Sequence, residues 1–148
     1  MTTPGQLMNP TSTQLYQEVL HFYGRQMRAL DEGRIDEWTE TFTEDGVFTA
    51  NAHPKPQTGR DEIRTGATNA DRNLRDQGLQ RRHWLGMLEV DEQADGTVLA
   101  RTYALIITTP KGGAAGVSLS CSCEDQLVRE DGRLLVRHRR VCRDDLPS

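Results

Sequence analysis

Apolar residues recur at helical intervals in the first half of the chain and at alternate positions in the second, so the change of period divides the sequence. Leu15, Val19, Phe22 or Tyr23, Met27 and Leu30 fall three and four residues apart, the stripe of a long amphipathic helix. Thr11-Ser12-Thr13-Gln14 ahead of it has the spacing of a capping box, and Asp31-Glu32-Gly33 stops it. Residues 35–42 read as a second, short helix with Trp38 and Phe42 on one face, which makes the pair an αα-hairpin. Thr43-Glu44-Asp45-Gly46 is a turn, residues 47–51 a short strand, and residues 52–59, with prolines at 54 and 56, an irregular loop. Ile63, Ala67, Ala70 and Leu74 then mark a third helix that ends near Gly78.

Residues 82–90, 97–108, 117–128 and 134–142 alternate as strands do. Asp95-Gly96, Pro110-Lys111-Gly112-Gly113 and Asp131-Gly132 separate them, and these connections predict a four-stranded antiparallel meander. The order α, α, β, α, β, β, β, β gives an α+β architecture in which three helices cover one face of a bent sheet and leave the other to water or a partner. Strict alternation places His83, Leu85 and Met87 on one face of the first long strand and Trp84, Leu88 and Val90 on the other. Val117, Leu119, Cys121 and Cys123 oppose a run of serines, so the cysteine face points at the helices. In the last strand Leu134, Val136, His138, Arg140 and Cys142 alternate with Leu135, Arg137, Arg139 and Val141, and both faces are mixed.

At 148 residues the chain has the size of one domain, here residues 12–145 between an N-terminal tail of residues 1–11 and a C-terminal tail of residues 146–148. Eighteen Lys and Arg against 22 Asp and Glu give a net charge of −4, which argues against nucleic acid as the partner. No apolar run approaches the roughly 20 residues that cross a bilayer, and the first residues lack the basic start and apolar stretch of an export signal. With an odd count of three cysteines, a reducing cytoplasm is the expected location.

A helix-covered concave sheet with a few inward polar groups is the form of a small-molecule pocket. His83, Cys121, Cys123, His138 and Arg140 are the candidates for those groups. Histidine suits proton transfer near neutral pH, and His83 lies in the middle of an apolar strand face; the plainer alternative is a half-buried imidazole bonded to a backbone carbonyl. A zinc site from Cys121, Cys123, His83 and His138 lacks the usual spacing of structural zinc ligands, and a buried cysteine is more often a small hydrophobe than a nucleophile. The run Arg137-His138-Arg139-Arg140 reads as a solvated basic edge, or else as a site for an anionic group.

Several stretches together resemble the nuclear transport factor 2-like superfamily, in its SnoaL-like branch of polyketide cyclases and dehydratases. They are residues 29–38 (ALDEGRIDEW), 42–48 (FTEDGVF), 59–64 (GRDEIR) and 81–86 (RRHWLG), with Asp131-Gly132 before the last strand. The resemblance implies a cone made by a curved sheet wrapped on a long helix, commonly dimeric through the outer sheet face. It also implies a cofactor-free enzyme acting on a hydrophobic, polyketide-like or aromatic carbonyl compound. His83 matches the catalytic histidine of the scytalone dehydratases in this superfamily. As an expectation of our own, His138, or Arg140 if it faces inward, steadies developing negative charge beside it. Arg28, Thr108, Cys121 and Cys123 fall where those enzymes carry an aspartate, a second histidine and a Ser/Asn pair. Among Tyr16, Tyr23 and Tyr103, Tyr23 is the expected donor to substrate. The alternatives are a non-catalytic binding or accessory protein that uses the same cone, and a purely structural dimerisation module with a filled interior.

Overall fold

The computed structural model describes residues 10–148, with side chains from Ser12 onward. Residues 1–9 of the expected tail and the capping-box side chain of Thr11 lie outside the described residues, and the helix begins at Pro10, within that tail. The apolar stripe of the first half forms α1 (Pro10–Asp31), which buries Val19, Tyr23, Gln26, Met27 and Ala29 on one side. Its end is built by backbone bonds. Arg34 N–H donates to Ala29 O at 2.8 Å and Gly33 N–H to Leu30 O at 3.1 Å, a Schellman closure that needs the positive φ of 77° at Gly33. The closure fixes Asp31 as the last helical residue.

The second helix, α2 (Ile35–Thr39), is shorter than its pattern suggests. Phe42 is not part of it but opens β1 (Phe42–Ala50), where it is fully buried with its ring 4.9 Å from that of Trp38. The expected turn at residues 43–46 is an irregularity within β1, across which its register shifts. After a two-residue strand, β2 (Gln57–Thr58), the third helix α3 (Gly59–Asp76) buries Ile63. The long strands follow as β3 (Leu79–Glu92), β4 (Val98–Pro110), β5 (Gly116–Glu130) and β6 (Arg133–Arg143).

These four strands pair antiparallel in sequence order, as the meander requires, but the sheet is larger than the meander. β1 joins it parallel to β6 and β2 joins β1, giving the order β2-β1-β6-β5-β4-β3. The sheet does not close, since β2 and β3 remain its edges. This mixed α+β arrangement is the cystatin-like fold of the nuclear transport factor 2 type. Val19, Phe42, Ile63, Leu127 and Val136 are the centre of the core between α1, α3 and the concave side. Each such side chain contributes roughly 1.5–3 kcal/mol on burial. None of the described helices is long and apolar enough to cross a membrane.

Strict alternation fails at three bulges, and each corrects the faces expected from period two. In β3 the register shifts between Gly86 and Glu89, so Met87, at φ 52°, turns outward and Leu88 and Val90 turn to the core. In β5 Ser118 is the extra residue, which leaves Leu119 facing in and Val117 exposed. In β6 Val136 pairs with Leu127 and His138 with Gln126, so Arg137 is extra and everything after it changes side. Arg139, Val141 and Arg143 therefore face inward, while His138 and Arg140 face outward.

Candidate active site

Between the concave side of the sheet, the end of α1 and α3 lies a cavity of about 760 Å³. Leu30, Phe48, Leu85, Ile106 and Leu119 give it apolar walls, and α3 contributes Ala67, Ala70 and Leu74. His83, Cys121 and Cys123 are on its wall, as the alternation of β3 and β5 predicts. The expected filled interior of a structural module is not observed.

His83 is held by Asp31, which sequence reasoning used only as part of a helix stop. His83 Nδ1 is 2.6 Å from Asp31 Oδ1, and the backbone N–H of His83 donates to Asp31 Oδ2 at 3.0 Å. The carboxylate is 7% exposed and the imidazole 21%, so the pair sits at the edge of the hollow rather than in bulk water. With both carboxylate oxygens accepting, Nδ1 carries the hydrogen and Nε2 is left with the lone pair. Arg28, expected at the aspartate's place, is exposed on α1; the acidic group lies three residues on. That difference is one helical turn, which a rough alignment at a helix end does not resolve.

Deeper in, a second polar cluster faces the cavity. Arg139, 4% exposed, donates from Nε to Asp125 Oδ1 at 2.9 Å and from Nη2 to Asp125 Oδ2 at 2.8 Å. The same Nη2 donates to Gln26 Oε1 at 2.6 Å, and Gln26 Nε2 donates to Thr41 Oγ1 at 2.7 Å. Tyr23 donates its hydroxyl to Asp125 Oδ2 at 2.6 Å. Burial, and next the adjacent Asp125 charge, push the Tyr23 phenol well above its ordinary range, so it stays protonated. The Arg139 guanidinium also lies 5.4 Å from the Phe42 ring centre.

The remaining expected site residues separate into wall and exterior. Burial pushes the Cys123 thiol up to about 12 and also raises Cys121, so both are protonated and serve as small polar wall groups. Tyr23 lies behind Asp125, outside the cavity lining. Thr108, two residues past Ile106, is 2.8 Å from the Ser118 hydroxyl that the β5 bulge presents to it and does not reach the wall. His138 is exposed, 3.3 Å from Thr49 Oγ1, and Arg140 faces Glu124 at 3.6 Å on the outer side. The bulge at Arg137 explains both, and it leaves His138 on the side of the sheet opposite His83, Cys121 and Cys123. His53, in the proline-containing loop, reaches the rim of the cavity.

Residues 11–140 match the SnoaL-like domain, and the chain belongs to that family, whose fold is of the polyketide cyclase and dehydratase type. Among solved structures, Aln2 from a Streptomyces species is 36% identical with a TM-score of 0.85, covering 95% of this chain and 96% of its own. ActVI-ORFA from Streptomyces coelicolor is also 36% identical at TM-score 0.85, covering 92% of this chain and 99% of its own. A protein of Catenulispora acidiphila, solved in complex with S-DNPA, is 41% identical at TM-score 0.78, covering 90% of this chain and 96% of its own. No curated protein matches the chain.

Proposed function

We propose that this protein is a cofactor-free acid/base enzyme acting on a polyketide-like or aromatic carbonyl compound, as a cyclase, dehydratase or isomerase. The observation that carries the reading is the His83–Asp31 pair at the edge of the hollow. Nε2 of His83 takes a proton from the carbon alpha to a carbonyl, and Asp31 holds the imidazolium that results. For a β-hydroxy ketone, the imidazolium then returns its proton to the hydroxyl. The C–O bond breaks, a C=C bond forms and water leaves. The apolar walls hold the aromatic frame and limit water at the reacting carbon. His138 and Arg140 have no part in this step, because they lie outside; Cys121 and Cys123 contact the substrate as protonated thiols.

That a 41% identical protein is solved with S-DNPA supports a small molecule as the occupant of the hollow. The outer face carries Trp84, Met87, Tyr103, Leu105 and Val117, all exposed. Trp84 and Leu105 are paired neighbours and Tyr103 pairs with Gly86, so the apolar groups form one patch, whose partner we take to be a second copy. With three free thiols, the protein suits a reducing cytoplasm.

Dehydration of an aromatic polyketide-type β-hydroxy ketone, followed by the absorbance of the conjugated enone, tests the reading. Turnover by the native protein that is lost in folded His83→Ala and Asp31→Asn variants is the expected result; undiminished turnover in folded His83→Ala overturns it. Tight binding of S-DNPA with no turnover of any such ketone would favour the non-catalytic binder instead.

A further inference from the structure

The glycine in the middle of α3 has no backbone reason to be there. Gly66 is helical with no positive φ, and a glycine inside a helix costs stability relative to alanine. What it supplies is room. A Cβ at this position would lie 3.0 Å from Cδ and 3.3 Å from Oε1 of Gln57, and it would overlap Nε2. The Gln57 side chain therefore lies across α3 in a notch that only glycine leaves open, and both residues are on the cavity wall.

The Gln57 carboxamide differs from its neighbours in being unspent. Gln80, also on the wall, donates to Asp31 O at 3.1 Å and to Arg81 O at 2.8 Å, and Gln26 is held between Arg139 and Thr41. No group of the described residues bonds the carboxamide of Gln57. Unlike Trp38 Nε1 and Arg81 Nε, neither its nitrogen nor its oxygen is sealed from solvent, so a guest in the hollow can meet it.

The course of α3 sets how far this amide is from the His83–Asp31 pair. Arg75, nine residues after Gly66, is 3.5 Å from Glu32 O at the end of α1, next to Asp31. Nine residues of helix span about 13.5 Å. The hollow thus has a polar group towards each end, with Ala67, Ala70 and Leu74 between them.

We propose that Gln57 is a specificity-determining residue of this site: its carboxamide, seated in the Gly66 notch, bonds a hydroxyl group on the trailing end of the guest and so sets which carbon arrives at His83 Nε2. The inference rests on the hollow being the ligand site, as in the proposed function. An amide suits the task because Nε2 donates and Oε1 accepts, so a hydroxyl is met whichever way it turns. A compound without that hydroxyl gains less on entering, because the carboxamide gives up water and receives nothing in exchange.

Calorimetric binding of 6-hydroxy-2-acetonaphthone and of 2-acetonaphthone, which lacks the hydroxyl, tests this without any need for turnover. The native protein should prefer the hydroxylated probe about three- to tenfold. Gln57→Leu should abolish the preference while still binding 2-acetonaphthone. Gly66→Ala should abolish it as well, by turning the carboxamide out of its notch, with a urea midpoint no lower than that of the native protein. His83→Ala should keep the preference, so a failure of the acid/base chemistry and a failure of this contact are told apart. Equal affinity of the native protein for the two probes, including no measurable binding of either, overturns the proposal, as does a preference that survives in folded Gln57→Leu or Gly66→Ala.

Discussion

The two buried acid pairs of this protein differ in what they have left over. Around Asp125 the valences are spent: Arg139 and Tyr23 both donate to its carboxylate, Gln26 accepts from Arg139, and the cluster continues through Thr41. Around Asp31 they are not, since the carboxylate takes one ring nitrogen of His83 and its backbone N–H and leaves the second ring nitrogen of this cavity-lining residue without a bond among the described residues. Both pairs face the same cavity and both join α1, or its end, to the sheet. A saturated cluster holds the elements in place, whereas an unsaturated one can exchange a proton with a guest. Polar residues on a cavity wall are therefore poor guides to chemistry until their partners are counted.

Asp125→Ala should have the largest effect on stability, because it strands the Arg139 charge in the core. A loss of about 3–5 kcal/mol in urea unfolding is expected. The joint replacement Asp125→Leu with Arg139→Met should recover much of it, and a mild effect of Asp125→Ala alone would break the contrast. His83→Ala should do the reverse. Turnover should fall about 10²–10⁴-fold with an unfolding midpoint changed far less than in Asp125→Ala. Asp31→Asn should lower turnover too, since the amide neither fixes the tautomer nor offsets the charge of the imidazolium.

The fold was legible where period decided it. The helix stripe, the meander and the inward aim of His83 and Cys121 follow from spacing, because packing against one side imposes it. Pairings between distant segments were not legible. Asp31 and His83 are 52 residues apart, and nothing local marks Asp31 as more than the end of a helix. Nor does the sequence announce the extra residue at Arg137, whose effect is that Arg139 rather than His138 or Arg140 reaches the interior. The mixed character of both faces of β6 was the visible sign that simple alternation breaks there. The parallel pairing of β1 with β6 escaped for the same reason, since it joins the two ends of the domain.

Alkaline titration should sharpen the saturated side at smaller scale. Burial raises the folded-state pKa of Cys123 to about 12, above its ordinary 9, so the folded state holds its proton more tightly than the unfolded chain does. Stability from this group is complete below about pH 9 and is lost as pH rises towards 12, by at most about 1.4 kcal/mol per pH unit. Cys123→Ala should flatten that slope in urea unfolding at pH 8 to 10.5. Smallest of all, His138→Ala and Arg140→Gln should move stability by no more than about 0.5 kcal/mol and leave turnover intact. A large loss of turnover in either would mean that the outward side contributes to the reaction.

The Schellman closure at Gly33 has a further consequence for Asp31 and Gln26. These two residues ride on one helix and serve different partners, so the rotation of α1 sets both at once. Inserting a single residue between them would swing Asp31 by about 100° and advance it by about 1.5 Å while Gln26 stayed put. The helix thus works as a keyed shaft: side chains along it can be exchanged one at a time, but its pitch count admits no slip.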